Sequence, residues 1–266
     1  MKIGFIGCGN MASAVATGIY RHHPEVEFLT YTPSHTRAIE LAKKINGEAK
    51  KSLEEILEAD YLVIGCKPQQ FNDLSKKLVK YNLSKKVFVS IMAAIPCVRI
   101  KESLGIKNVM RLMPSLPMNF DRGISLIFFD DVSMISNVKL FSNLLKKCSQ
   151  VVQIDEEDNF NKVTTISASG PAYVYYFANI IQSKLESWGI PKDESRNMAT
   201  SLFEGSSRQM SLTSDDLPDL IDKVTSKGGV TIEAINSFEK HNLHEKIGLS
   251  IENAVERSYE IESNIK

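Results

Sequence analysis

Apolar residues recur along this chain in two rhythms. Up to about residue 154 they come as short runs: Ile3, Phe5 and Ile6, then Val26–Tyr31, Asp60–Cys66, Val87–Ile91, Asn108–Leu112, Ile124–Phe129 and Val151–Ile154. Runs this short and this uniformly apolar predict strands buried on both faces. Between them, helical spacing predicts helices over Asn10–His22, Thr36–Ile45 and Val132–Lys147. Asn46-Gly47 caps the second, and Ser52 caps a short helix with Glu54 and Glu55 in its first turn. The pattern predicts a doubly wound α/β sheet of some eight strands, β-α-β throughout. From Asn159 onward no strand pattern remains, and helices are predicted over 159–168, 171–188, 192–211, 215–224, 229–240 and 243–263. The expected domains are therefore 1–156 and 157–266. Asp155-Glu156-Glu157-Asp158 at the junction reads as a solvated helix start.

The first strand runs directly into Gly7-Cys8-Gly9-Asn10-Met11-Ala12, a G-x-G-x-x-A form of the dinucleotide fingerprint. Gly7 permits the tight turn, Gly9 lets backbone approach a pyrophosphate, and Ala12 lets the helix pack close to the strand. The helix aims its free N–H groups and dipole at the phosphates. The motif alone is weak, but the strand before it, the helix after it and the next strand at the right distance supply the confirming context.

The slot after the second strand holds Thr32, Ser34 and Arg37 in place of the carboxylate that NAD-selective folds put there. Hydroxyls and a guanidinium suit a 2′-phosphate, which predicts NADPH as the preferred cofactor with NADH possible. The competing account has Ser34 capping a helix and Arg37 solvated. Gly65, Cys66, Lys67 and Pro68 follow the strand 60–66 and fall over the crevice where ligands bind. Lys67 is then a ribose or phosphate contact, or else a solvated loop lysine. Met92 and Ala93, with Ala94, leave space for a flat ring.

Composition removes several alternatives. The 266 residues are 43% hydrophobic, and Lys plus Arg balances Asp plus Glu at 32 each, so no global field favours nucleic acid or an anionic membrane. No run reaches membrane-span length, and the chain opens straight into a strand with no room for a cleavable signal. Cys8, Cys66, Cys97 and Cys148 lack C-x-x-C spacing, and the five histidines form no ligand set. A cytoplasmic protein with reduced, mostly buried thiols and no metal is expected.

Two helical-part segments stand apart: Ser167-Ala168-Ser169-Gly170-Pro171-Ala172-Tyr173 and Val224-Thr225-Ser226-Lys227-Gly228-Gly229-Val230-Thr231. Hydroxyls and glycines at a helix start can cradle a carboxylate, or can serve as capped turns. The stripe Tyr173, Phe177, Ile180, Ile181 and Leu185, thickened by Tyr175 and Tyr176, reads as core or dimer seam. Together with Ile247, Ile251, Ala254 and Val255 it exceeds what six helices bury alone, predicting an obligate homodimer.

In order and spacing these segments resemble pyrroline-5-carboxylate reductases. The resemblance rests on I-G-F-I-G-C-G-N-M-A, C-K-P-Q at Cys66–Gln69, R-L-M-P-S-L-P at Arg111–Pro117, S-A-S-G-P-A-Y at Ser167–Tyr173 and V-T-S-K-G-G-V-T at Val224–Thr231. It implies a Rossmann-type NAD(P)H domain, then an all-α dimerisation and substrate domain whose helices interleave with a partner's, with dimers often assembled further. It also places the active site between one subunit's cofactor and the partner's helices. Ser226, Gly228 and Gly229 would hold the substrate carboxylate, with Ser169 nearby, and Thr231 would face the ring nitrogen as the candidate catalytic residue. The family usually reads M-P-N-T-P where Met113–Pro117 stands, S-P-G-G-T-T around Lys227 and Val230, and S-G-S-G at Ala168; Ser52 replaces an asparagine common near the adenosine ribose.

No His, Asp or Glu lies in the substrate motifs, so the substrate is expected to arrive as an iminium or to take its proton through Thr231 or water. Two rivals remain. A β-hydroxyacid dehydrogenase would carry a lysine in a G-x-x-x-N-K setting; Lys162 follows Asn161, but Glu157 occupies the glycine position. A non-catalytic NADP-sensing scaffold would have no use for a carboxylate pocket.

Overall fold

A computed structural model describes residues 1–264. Eight strands form one sheet: β1 (Lys2–Ile6), β2 (Glu27–Tyr31), β3 (Glu48–Ala49), β4 (Tyr61–Ile64), β5 (Val87–Ser90), β6 (Val109–Pro114), β7 (Gly123–Phe128) and β8 (Ser149–Gln153). Their order is β3-β2-β1-β4-β5-β6-β7-β8. The chain works outward from β1 in one direction and then from β4 in the other. The strand order therefore reverses between β1 and β4, where a crevice opens at the strands' carboxyl ends. Ile6 pairs with Tyr31 on one side and Ile64 on the other, so the three strands end level.

Six helices accompany the sheet: α1 (Asn10–His22), α2 (Thr36–Lys44), α3 (Leu53–Ile56), α4 (Phe71–Leu78), α5 (Cys97–Leu104) and α6 (Ile135–Leu145). Alternate strand residues feed two cores. Phe5, Val63 and Val89 join Val15, Ile19, Leu41 and Phe141 on one face. Ile6, Leu62, Ile64 and Phe88 join Phe71, Leu78 and Ile100 on the other. Burial on both faces is why these strands read as unbroken apolar runs.

One expectation fails. The β-α-β pattern is not continuous, because β6 and β7 are antiparallel, with Leu112 opposite Ile127. Only a 3-10 turn, Leu116–Phe120, lies between them. The segment from Pro114 to Gly123 is shorter than the roughly 12 residues a parallel crossover requires. Ser115, where the related motif has asparagine, is buried there, and its Oγ accepts from Ile124 N at 2.8 Å.

The remaining helices are α7 (Glu157–Ser167), α8 (Gly170–Ser187), α9 (Lys192–Leu212), α10 (Leu217–Lys223), α11 (Val230–Lys240) and α12 (Leu243–Asn264), each close to its predicted span. The chain divides into two compact units, Met1–Pro171 with the described residues from Ala254, and Ala172–Asn253. In the first, Asn161 Nδ2 donates to Glu262 Oε2 at 3.1 Å and the Tyr259 hydroxyl donates to Asp158, tying the end of α12 to α7. The acidic run is not all solvated. Glu157 Oε1 accepts from Arg111 Nη1 at 2.9 Å and from Cys97 N at 2.8 Å. Arg111 is 1% exposed and lies 4.5 Å from the Phe160 ring centroid, so a buried guanidinium on β6 recruits the first residue of α7.

The second unit has hardly any interior. Between Ala172 and Asn253 only Ser195 and Ala199 are buried. Tyr175, Tyr176, Leu212 and Trp188 are exposed, and Val230 is 90% exposed. The aromatic stripe of α8 is thus not core within one chain.

Candidate functional site

The reversal point holds a cleft of about 650 Å³, a size ordinary for small-ligand sites. Of the residues expected at a cofactor, Gly7, Cys8, Gly9, Thr32, Ser34, Arg37, Gly65, Cys66 and Lys67 line it. Gly7 adopts φ +97°, and a Cβ there would come 2.7 Å from the Gly65 carbonyl carbon, so this turn demands glycine. Gly9 differs: a Cβ on it would meet no atom within 4 Å. Its smallness serves nothing inside the chain. Gly9 N-caps α1 without a side-chain cap, leaving first-turn N–H groups available to an anion.

Other expected positions do not line the cleft. Asn10 and Met11 begin α1, and Ala12 is buried where it packs against Gly65. Ser52 caps α3, its Oγ accepting from Glu55 N at 3.2 Å; its neighbour Leu53 lines the cleft instead. Pro68 opens the 3-10 turn Pro68–Gln70. Met92 is buried, with its sulfur 3.6 Å from Cys66 Sγ, while Ala93 is exposed.

The structure adds a wall that the sequence reading missed. Gln70, Asp73, Leu74 and Lys77, at i, i+3, i+4 and i+7 along α4 and the turn before it, line the cleft from the sheet face opposite α2. The signal was present in the sequence, since Phe71, Ser75 and Leu78 are the buried face of the same helix.

The cleft fits a dinucleotide on two observations. Thr32 Oγ1, just past β2 in the cleft lining, is buried without a hydrogen-bond partner. The helix start described above is likewise uncapped. Helix α2 is N-capped by His35, in a left-handed conformation, not by Ser34, so the Ser34 hydroxyl has no capping duty. Burial pushes the Cys8 thiol up to about 12 and that of Cys66 up to about 11, so both remain neutral at physiological pH.

The helical motifs are exposed by comparison. Ser169 lies exposed at the start of α8, beside Ser167, whose buried Oγ has no partner. In the second unit Gly228 takes φ +74° and Gly229 N-caps α11 without a side-chain cap. Gly229 N donates to Ser226 O at 3.0 Å, and a Cβ on Gly229 would collide with Ser226 Oγ. Thr231 is exposed in the first turn of α11. Lys162, the candidate of the dehydrogenase alternative, is engaged by Asp158 at 2.5 Å and does not line the cleft. Among the described residues no cluster of three or more potential metal ligands occurs, and no helix is long and apolar enough to cross a membrane.

Comparison with known proteins adds lineage. Residues 157–261 match the family described as pyrroline-5-carboxylate reductase dimerisation, and residues 2–94 match that of coenzyme F420-dependent NADP oxidoreductases. A pyrroline-5-carboxylate reductase of Vibrio alginolyticus is 30% identical, covering 98% of this chain and 97% of its own length. The solved pyrroline-5-carboxylate reductase of Coxiella burnetii superposes with a TM-score of 0.86 at 25% identity, covering 97% of each chain. The Plasmodium falciparum enzyme, solved with NADP bound, gives 0.84 at 26% identity, covering 98% of this chain and all of that one.

Proposed function

This chain belongs to the pyrroline-5-carboxylate reductase family, and from that premise we infer that it reduces 1-pyrroline-5-carboxylate to L-proline, the last step of proline synthesis, with hydride from NAD(P)H. The observation that carries this reading is the uncapped start of α11, where Ser226, Gly228, Gly229 and Thr231 stand together beside free backbone N–H groups. A dinucleotide sensor has no need of such a carboxylate cradle, and Lys162 is not placed to serve a dehydrogenase.

In this reading the cofactor cleft binds NADPH in preference to NADH through Thr32, Ser34 and Arg37. A bound nicotinamide supplies the hydride. Ser226 and the N–H groups around Gly228 and Gly229 hold the substrate carboxylate, fixing which face of the ring is presented. Thr231 orients the ring nitrogen, which carries its proton as an iminium or receives it through the hydroxyl or water. Ser169 contributes from the start of α8. The functional division falls at residues 156 and 157, where the dimerisation match begins.

The exposed apolar surface of residues 172–253 supports a homodimer through the helical part, with an interface of the large, hydrophobic class. This reading assigns the protein to the cytoplasm, where Cys8, Cys66, Cys97 and Cys148 would stay reduced. The test is an assay of purified protein with pyrroline-5-carboxylate and NADPH, with light scattering at assay concentration. Substrate-dependent oxidation of NADPH to form proline by a dimer or larger assembly is expected. Absence of turnover would overturn the activity, and a fully active monomer would overturn the assembly.

A further inference from the structure

Three cations line the nucleotide cleft: Arg37 of α2, Lys67 just past β4, and Lys77 in the last turn of α4. One carboxylate, Asp73, accompanies them, and it already lies 3.9 Å from Nζ of Lys76, a residue outside the lining. Among the described residues no carboxylate pairs with Arg37, Lys67 or Lys77. The cleft cysteines are neutral thiols. Arg37, Lys67 and Lys77 are therefore exposed cations without a carboxylate partner among the described residues.

The cations are also distributed. Helix α2 packs on one face of the sheet and α4 on the other, so Arg37 and Lys77 reach the cleft from opposite faces. Lys67 adjoins the Gly7–Gly9 turn through Gly65 and Cys66, on the diphosphate side. Leu53 and Leu74 give the cleft apolar surface suited to a base. We propose that Lys77 is a specificity-determining residue, whose ammonium group binds the 2′-phosphate of NADPH from the wall facing Arg37, so that a pair of cations sets cofactor choice. A 2′-phosphate adds about 1.5 to 2 negative charges at neutral pH, which NADH would not bring to Arg37 and Lys77. This inference rests on the reductase reading of the same cleft.

The experiment measures dissociation constants by calorimetry on the full-length protein, without turnover, for NADPH, NADH, adenosine 2′,5′-bisphosphate and adenosine 5′-monophosphate. Lys77→Ala should weaken NADPH and the bisphosphate by about 5- to 30-fold, the range of one partly screened charge-assisted bond. NADH and the monophosphate should stay within about 2-fold. Lys77→Arg should hold NADPH within about 3-fold, since a cation of similar reach remains. The double variant Arg37→Ala/Lys77→Ala should bind NADPH no better than NADH. Added salt should erode NADPH binding more in the natural protein than in Lys77→Ala. Unchanged NADPH affinity in Lys77→Ala, or equal loss for both cofactors, overturns the role of Lys77 and leaves the reductase assignment standing. Tight NADPH binding without reduction of pyrroline-5-carboxylate overturns the assignment alone, and a natural protein that binds neither cofactor overturns both.

Discussion

Removing the carboxylate of Glu157 should be among the most damaging single changes outside the cofactor and substrate sites. Its Oε1 receives two hydrogen bonds, from Arg111 Nη1 at 2.9 Å and from the first N–H of α5, Cys97 N, at 2.8 Å. Arg111 is 1% exposed, and its buried Nε already lacks a partner. In Glu157→Ala the guanidinium would lose its ion-pair partner and keep the Phe160 ring and the longer-range attraction of Glu262. Breaking a buried ion pair from one side costs about 3–5 kcal/mol. Glu157 is itself 23% exposed, so water can reach the wound and favours the lower half of that range. The stranded N–H of α5 adds about 1 kcal/mol. A loss of about 4–5 kcal/mol is therefore expected. Glu157→Gln keeps a neutral acceptor and should lose about 1–2 kcal/mol. The double variant Arg111→Met/Glu157→Gln, with no buried charge left, should be more stable than Glu157→Ala. The assay is urea denaturation followed by circular dichroism at one fixed protomer concentration, so that any contribution of assembly is held constant. A loss below about 1 kcal/mol for Glu157→Ala, or a double variant less stable than it, would refute the reasoning.

Gly9→Ala should leave stability unchanged while sharply weakening dinucleotide binding, whereas Gly7→Ala should lose about 1–3 kcal/mol from its positive φ and the nearby Gly65 backbone; thermal melts and cofactor titration separate the two. Burial pushes the carboxyl of Glu262 above its ordinary value of 4.5, with Glu157 and Asp158 adding to the rise while Arg111 and the bond from Asn161 oppose it. A carboxyl raised in the folded state gives stability that is intact below the unfolded value and lost as pH rises through the folded one. Glu262→Gln, which can still accept from Asn161, should therefore stabilise the protein at pH values above that titration and make no difference below 4.5, as denaturation at several pH values would show. Thr231→Ala should lower kcat/KM by roughly ten- to a few hundred-fold with cofactor affinity unchanged. The acidic limb of its pH profile should stay in place, and a limb set by one of the five histidines would count against orientation as the main catalytic device.

Legibility in the sequence followed the strength of each local physical signal. The fingerprint from Gly7 to Ala12 was readable because turn, close approach and helix packing each demand a small residue at a fixed place. The helices after Asn159 were readable because Gly189, Pro191 and Gly229 punctuate them. The antiparallel β6–β7 pair was misread as part of a continuous β-α-β pattern, although the short span from Pro114 to Gly123 already excludes a crossover helix. The role of Glu157 was hidden because an acidic run looks alike whether solvated or recruited, and its partner Arg111 is far away in sequence. The α4 wall was lost with α4 itself, whose buried face of Phe71, Ser75 and Leu78 is interrupted by a polar residue.

The two compact units are not consecutive lengths of chain. Residues 172–253 leave the sheet-bearing unit after Pro171 and return to it at Ala254, and Tyr259 and Glu262 fasten the returning end to α7. Topologically the helical unit is an excursion tethered at both ends. Tethering at two points restricts the chain of the helical unit, and so lowers the conformational entropy that the proposed pairing would have to overcome. A single backbone cut between Asn253 and Tyr259 would remove one tether while leaving every residue of the sheet and of the α11 cradle in place. On the proposed homodimer, such a nicked chain would retain its nucleotide cleft but recruit a second copy less readily, which turns a question about sequence order into one about how sharply assembly depends on concentration.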